Sequence, residues 1–325
     1  MHRHHRDDRR HARSARAPLP VGPVATDTGT VELSTDRSHP SSVTVLVNGV
    51  PSSHLDLDDP TYLEFEYMQH MAVLVDALAP GPLDAVHLGA AACTFPRWVE
   101  ATRPGSRQLA VDVDARLLTL VREWFALPRS PALRLRAGEA REVLSRLPDA
   151  SADLVVRDVF AHDSTPGHLT TRGFVEQVAR VLRPGGLYLA NCADRPPLAL
   201  VREELATAGS VMDVVLVAEP GQLKGRRYGN LVLGATVRPP VPHGVGQGRP
   251  ADRSGAPATQ PPRGGGPPAL DGAATARALR TLAVPATLLA GDELRAFVGR
   301  ARVRVDPPAP EPSGRGPQDP DGGNA

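Results

Sequence analysis

Cysteine is scarce: Cys93 and Cys192 are the only two in 325 residues, and they stand far apart. Two isolated thiols exclude a disulfide framework and a cysteine metal cluster, so no metal is expected. They fit a reducing compartment, and a cytoplasmic location is the expectation. Lysine is scarcer still. Lys224 is the single one, and arginine supplies nearly all the positive charge. With abundant Ala, Pro and Gly, this bias reflects GC-rich coding rather than function. The formal net charge is +1, which gives no global pull toward nucleic acid or an acidic membrane surface. No apolar run reaches the ~20 residues a membrane helix needs. Neither nucleic acid nor membrane is therefore an expected partner. The start, MHRHHRDDRRHARSAR, is basic but lacks the hydrophobic core of a secretory signal. A His/Arg cluster can hold a metal or a polyanion; the composition favours a disordered tail over residues 1–30.

The apolar content is ample for a core, in one large domain or two small ones. TVELSTD and SVTVLVNGVPSSHLDL alternate apolar and polar residues, with a turn signal at Asn48-Gly49. They predict a small β element over 31–60. From Thr61 the period becomes helical: Leu63, Tyr67, Met71, Leu74 and Leu78 share one face. Short apolar strands then alternate with amphipathic helices: DAVHLGA, RQLAVDV, LRLRAGE, ADLVVRDVF and GLYLANCA, separated by stretches such as ARLLTLVREWFAL and GFVEQVARVL. That rhythm requires a parallel sheet with helices on both faces. VMDVVLVAE and YGNLVLGAT follow with a short link, which predicts an antiparallel hairpin at the sheet edge. Five parallel strands plus such a hairpin match the seven-stranded, Rossmann-like α/β arrangement of class I S-adenosylmethionine-dependent transferases. Pattern alone does not separate it from other doubly wound folds. This domain is expected over 61–237. A disordered Pro/Gly-rich insertion follows at 238–268, then a C-terminal α/β segment of the same domain at 269–305, and a disordered tail at 306–325.

Ligands of open α/β sheets bind beyond the carboxyl ends of the strands. Gly89, in HLGAAACT, ends the first strand and lets a backbone approach a ligand; small residues there also serve packing. Asp112 ends the second strand, where a carboxylate can accept both hydroxyls of a ribose. Asp114 reads instead as a helix cap. Glu139 ends the third strand, either as an acceptor for an adenine amino group or as an acid at a helix start. Asp158 closes the central strand, where partial desolvation raises a carboxyl toward the range of a useful base. The competing reading is a loop starter.

These motifs, in this order and spacing, resemble the polyamine aminopropyltransferases, the spermidine synthase family. The likeness spans roughly Val31 to Thr236 and is closer still to the spermidine-synthase-like proteins of actinobacteria. It implies a small β domain before a Rossmann-like domain. It further implies decarboxylated S-adenosylmethionine, or S-adenosylmethionine itself, as co-substrate, and an amine as acceptor. Asn48-Gly49-Val50 stands for the family's Asp-Gly-Val turn, with Ser52 or Ser53 where a glutamine normally follows. The helix motif falls on Glu64-Phe65-Glu66, where Glu66 matches, with His70 downstream as a second substrate-side candidate. Asp112 matches the ribose-binding acid, Glu139 the adenine-side acid and Asp158 the acid that takes the attacking amine's proton. Ala92 replaces the acid that holds the donor's amine. Ala161 replaces the second catalytic acid, for which Asp163 is a nearby substitute.

The reading is a transferase binding a nucleoside and an amine, with a homodimer as the assembly considered. The alternatives are a methyltransferase on the same scaffold and a binding protein that has lost polyamine chemistry. The insertion is expected to be dispensable, because its composition buries too little apolar surface to offset ordering. Replacing 238–268 by a short Gly/Ser linker should leave the melting temperature within a few degrees; a large drop would show that it packs on the domain.

Overall fold

A computed structural model describes residues 18–161, 164–237 and 268–308. The readings made for residues 1–17, 238–267 and 309–325, and for Asp163 beside His162, lie outside the described residues.

The first sheet is an antiparallel meander of β1 (Val24–Ala25), β2 (Thr30–Thr35), β3 (Ser42–Val47) and β4 (Val50–Asp56). Asn48 and Gly49 both take positive φ, 52° and 78°, as a tight two-residue hairpin turn requires. Alternation turns Val31, Val43, Val45 and Leu55 inward. They pack with Leu117, Leu120 and Val121 of α3 (Ala115–Trp124), so this sheet shares a core with the larger domain. Order begins before residue 31: Val24 pairs with Val31. A strand of two residues has no period to read, so the expected boundary at 30 falls too late.

The second sheet runs in the order β12-β10-β11-β9-β8-β5-β6-β7. Its parallel half is β5 (Asp84–Leu88), β6 (Arg107–Asp112), β7 (Leu133–Ala137), β8 (Ala152–Arg157) and β9 (Leu182–Asp194). β10 (Asp213–Ala218) and β11 (Gly229–Thr236) form the expected antiparallel hairpin, and β11 joins it to β9. Their link carries a single helical turn, α7 (Pro220–Leu223), rather than a bare turn. The sheet has eight strands, not seven. β12 (Thr287–Leu289), from beyond the insertion, adds antiparallel to the edge of β10, with Leu216 opposite Leu289. Three residues sufficed to suggest a strand there but not its place in the sheet.

On one face lie α1 (Glu66–Asp76), α2 (Thr94–Thr102) and α8 (Ala273–Arg280), around Met71, Leu74, Trp98, Leu154 and Leu279. The helical face anticipated from Leu63 to Leu78 is buried throughout. On the other face lie α4 (Ala140–Ser145), α5 (Arg172–Val181), α6 (Ala199–Gly209) and α9 (Gly291–Val298), around Phe174, Val178 and Val201. Each fully buried aliphatic or aromatic side chain of this kind contributes about 1.5–3 kcal/mol.

Asp114 joins the two sheets. It caps α3 by accepting the Leu117 N–H at 2.7 Å. It also accepts the Asp27 N–H (3.1 Å), the Thr28 N–H (2.9 Å) and the Thr28 hydroxyl (2.7 Å) from the turn between β1 and β2. Burial opposes ionisation, but the Leu117 and Thr28 bonds outweigh it and hold the carboxyl at about 2, against 3.8 ordinarily. A lowered value means stability that is present above pH 4 and lost as pH falls toward 2. The shift corresponds to about 2 kcal/mol. Asp114→Ala should therefore destabilise by ~2–4 kcal/mol at pH 7. The gap from wild type should narrow between pH 4 and pH 2 in denaturant titrations. A gap independent of pH would contradict this account.

Candidate active site

The site is built where β5 and β8 end side by side. Asp158 donates its N–H to the Leu88 carbonyl at 2.8 Å, and Gly89 donates its own to Val111 at 2.9 Å. Gly89 takes φ +85°, and a Cβ there would fall 2.0 Å from the Asp158 carbonyl oxygen. Only glycine allows this turn to close. The loop that follows is also tense, with Ala91 at φ 38° and Cys93 at φ 60°, a region that costs non-glycine residues energy. Asp112 holds it in place. Its Oδ2 accepts the N–H groups of Ala90 (3.2 Å) and Ala91 (3.1 Å), and its Oδ1 accepts that of Asp114 (3.0 Å). Burial raises its carboxyl above the ordinary value, against the pull of these three amides. A carboxylate offers about four lone-pair directions. Three are in use, so engaging both hydroxyls of a ribose requires release of at least one amide.

Asp158 stands at the carboxyl end of the central strand. Its Oδ2 accepts the Tyr67 hydroxyl at 2.8 Å and its Oδ1 accepts the Asn191 side-chain amide at 2.8 Å. Burial raises its carboxyl; the bonds from Asn191 and Tyr67 and the nearby Arg157 charge partly counter that. A loop starter would turn its carboxylate onto local backbone. This one is bound by side chains of α1 and β9 instead. Arg157, the preceding residue, points to the other face of β8 and is fully buried. It pairs with Glu204 at 2.7 Å and donates to the carbonyls of Leu169 and Asn191, each at 3.1 Å.

Glu139 caps α4, accepting the N–H groups of Arg141 (3.0 Å) and Glu142 (2.8 Å), and it also meets His168 at 3.0 Å. The helix-start reading describes what it does here, while its place at the tip of β7 leaves it on the same rim as Asp112. The other substrate-side candidates divide. Glu66 is exposed in the first turn of α1. His70 is not at the cleft: it is buried beside the Val284 backbone, and burial lowers its value to about 4. Helical spacing put it on the apolar stripe, which the C-terminal segment covers. Ala161 pairs with Ser164 in an isolated antiparallel bridge. Ala92 is wholly buried, and its N–H donates to Ser53 of β4 at 3.2 Å. The first sheet thus covers the loop at Ala92.

Tyr67, Asn191 and Arg157 were not singled out from the sequence. Tyr67 reads as one more residue of a buried stripe. Asn191 and Arg157 did leave a signal, as polar residues inside the apolar runs YLANCA and LVVRDVF. A recess of about 740 Å³ lined by Asp84, Arg107, Leu109, Pro148 and Arg183 lies at the opposite, amino edge of the strands. Its charges are spent on one another, Arg183 pairing with Asp84 and Asp153, and none of Asp112, Glu139 and Asp158 lines it.

The family model described as a methyltransferase domain matches residues 86–190, from the first parallel strand to the last. A probable spermidine synthase from Corynebacterium glutamicum is 33% identical, with a TM-score of 0.76 covering 93% of this chain and 100% of that one. The polyamine aminopropyltransferase of Chromobacterium violaceum is 25% identical over 146 residues, 43% of this chain and 53% of that protein. The chain therefore spans about half the length of the curated relatives it matches. Spermidine synthase from Thermotoga maritima, 14% identical with a TM-score of 0.53 over 67% of this chain and 72% of that one, shares the fold.

The Gly89 turn gives a direct test. Gly89→Ala must either push the Asp158 backbone away or open the turn, so it should destabilise by ~2 kcal/mol or more. Thermal unfolding checks this; an unchanged melting temperature would mean that the turn is not as tight as described.

Proposed function

The chain belongs to the spermidine-synthase-like family, and from that premise we propose that it transfers an aminopropyl group from decarboxylated S-adenosylmethionine to an amine. The observation that carries this reading is the Asp158 carboxylate, half-buried at the tip of the central strand and held by Tyr67 and Asn191. Gly89 and Asp112 would hold the adenosine at the carboxyl edge, with Glu139 on the adenine side. The acceptor nitrogen attacks the carbon beside the sulfonium. A C–N bond forms as the C–S bond breaks, and its electron pair leaves on sulfur as a neutral thioether. The nitrogen's proton passes to Asp158. No covalent enzyme intermediate is needed, so positioning and one base suffice.

The acceptor class follows from the charges near this base. A dication needs a carboxylate for each ammonium, because an unpaired cation out of water is costly. Ala161 supplies none, and Asp163, its candidate substitute, lies outside the described residues. The acceptor we propose is an amine whose nucleophilic nitrogen meets Asp158 and whose far end carries no buried charge. Because burial raises the Asp158 carboxyl, it stays protonated, and unable to accept, to a higher pH than an ordinary aspartate. The rate should rise with pH through that raised value.

Calorimetry with decarboxylated S-adenosylmethionine, S-adenosylmethionine and methylthioadenosine tests the donor, and turnover with mono- and diamines tests the acceptor. Preference for the decarboxylated donor is expected; preference for the intact one would favour methyl transfer, which the uncharged position at Ala92 would suit. Asp158→Asn should keep nucleoside affinity and lower turnover by roughly 10²-fold or more. Equal turnover would remove Asp158 from the chemistry, and nucleoside binding without any transfer would favour a binding protein.

A further inference from the structure

The residues after α9 form a strap across one face of the sheet. Arg304 donates its N–H to the Thr207 hydroxyl at 2.9 Å and its guanidinium to Glu203 at 2.8 Å, both on α6. Its carbonyl then accepts the Arg172 N–H, at the start of α5, at 2.7 Å. Two residues on, Asp306 is gripped by both nitrogens of the Arg141 fork, at 2.5 and 2.9 Å, and by the Thr171 hydroxyl at 2.8 Å. The seat is close: a Cβ on Gly173 would fall 2.1 Å from Asp306 Oδ2. Residue 306, expected to begin a disordered tail, is instead an anchor.

Arg141 does more than hold the strap. The same nitrogen that meets Asp306 also donates to the His168 carbonyl at 3.0 Å, and the His168 ring meets Glu139 at 3.0 Å. A continuous chain of contacts thus runs from Asp306 through Arg141 and His168 to Glu139. Without Asp306, the Arg141 fork would lose its carboxylate and keep only its bonds to the His168 carbonyl and the Thr171 hydroxyl.

We propose that the C-terminal strap is part of the nucleoside site: Asp306 acts as a positioning residue that, through Arg141, fixes the His168–Glu139 wall, so strap docking and nucleoside binding are coupled. This rests on the nucleoside reading above. The Arg141 and Asp306 side chains are 28% and 37% exposed. A bidentate pair gives directional hold, but at such exposure it contributes modestly. This pair therefore adds only modestly to docking of the strap, and a ligand that favours the docked state adds to it measurably. Coupling of this kind is reciprocal: if the strap strengthens nucleoside binding, the nucleoside must tighten the strap by the same factor.

The test uses the full chain with methylthioadenosine as the probe. Calorimetry compares wild type, Asp306→Ala, and Arg146→Ala, which removes an exposed pair with Glu142 on the same helix. Hydrogen exchange then follows the amides of residues 167–172 with and without the probe. Asp306→Ala should weaken methylthioadenosine at least fivefold and speed exchange at 167–172, while Arg146→Ala does neither. In wild type the probe should slow exchange at Arg172, whose N–H the strap accepts. Where turnover is measured, KM for the donor should rise in Asp306→Ala with kcat unchanged, because Asp158 keeps its own partners. Normal affinity in Asp306→Ala, beside a wild type that binds, would overturn the coupling and leave the nucleoside reading intact. Failure of wild type to bind would overturn both.

Discussion

A carboxylate withdrawn from water must find donors, and the arrangement around Asp158 follows from that requirement. Its two partners come from opposite directions: Tyr67 from the helix that enters the domain and Asn191 from the neighbouring strand. Both are neutral, so neither cancels its charge. A lysine or arginine in the same place would hold the carboxyl low and leave it a poor proton acceptor. Neutral donors fix its direction while burial keeps it raised. The geometry depends on the parallel register of β5 and β8, which brings Leu88 opposite Arg157 and leaves Gly89 against the Asp158 carbonyl.

Strand alternation turns Arg157, the last residue of β8, and Asp158, just beyond it, to opposite faces. Asp158 faces α1, and Arg157 faces α6 on the other side. A buried guanidinium is costly unless it is paired and hydrogen-bonded; Glu204 and two backbone carbonyls meet that need. One of those carbonyls belongs to Asn191, whose side chain holds Asp158. The other belongs to Leu169, next to His168 on the Glu139 side. The ion pair beneath the sheet thus braces both ends of the cleft from below.

Much of this was legible in the sequence because it is periodic. The parallel strands, the edge hairpin and the buried face of α1 all repeat at 2 or 3.6 residues, and crossover rules set the class of sheet. What escaped was too short to have a period, such as β1 and β12, or depended on a partner distant in sequence. Tyr67 lies on the same stripe as Met71 and Leu74, and no local pattern tells a hydroxyl aimed at a carboxylate from one more core ring. His70 shows the converse, since a polar residue downstream of a motif can belong to packing. Asp112, Glu139 and Asp158 were found because sheet topology places them at strand ends. That Asp112 also holds backbone amides could not be read from spacing, whereas the helix-start reading of Glu139 anticipated its place at the cap of α4. Ala92 was visible as a missing acid, but not as a residue sealed by Ser53 of the first sheet.

We propose that the carboxyl edge, running from Asp158 through Gly89 and Asp112 to Glu139, receives an adenosine whose sulfur lies over Asp158. A crystal structure of the full chain soaked with methylthioadenosine tests it most directly. The ribose is expected against Asp112, with at least one of its loop amides released, and the sulfur beside the Asp158 carboxylate. A nucleoside bound in the amino-edge recess, or one at the carboxyl edge with its sulfur turned away from Asp158, would contradict it.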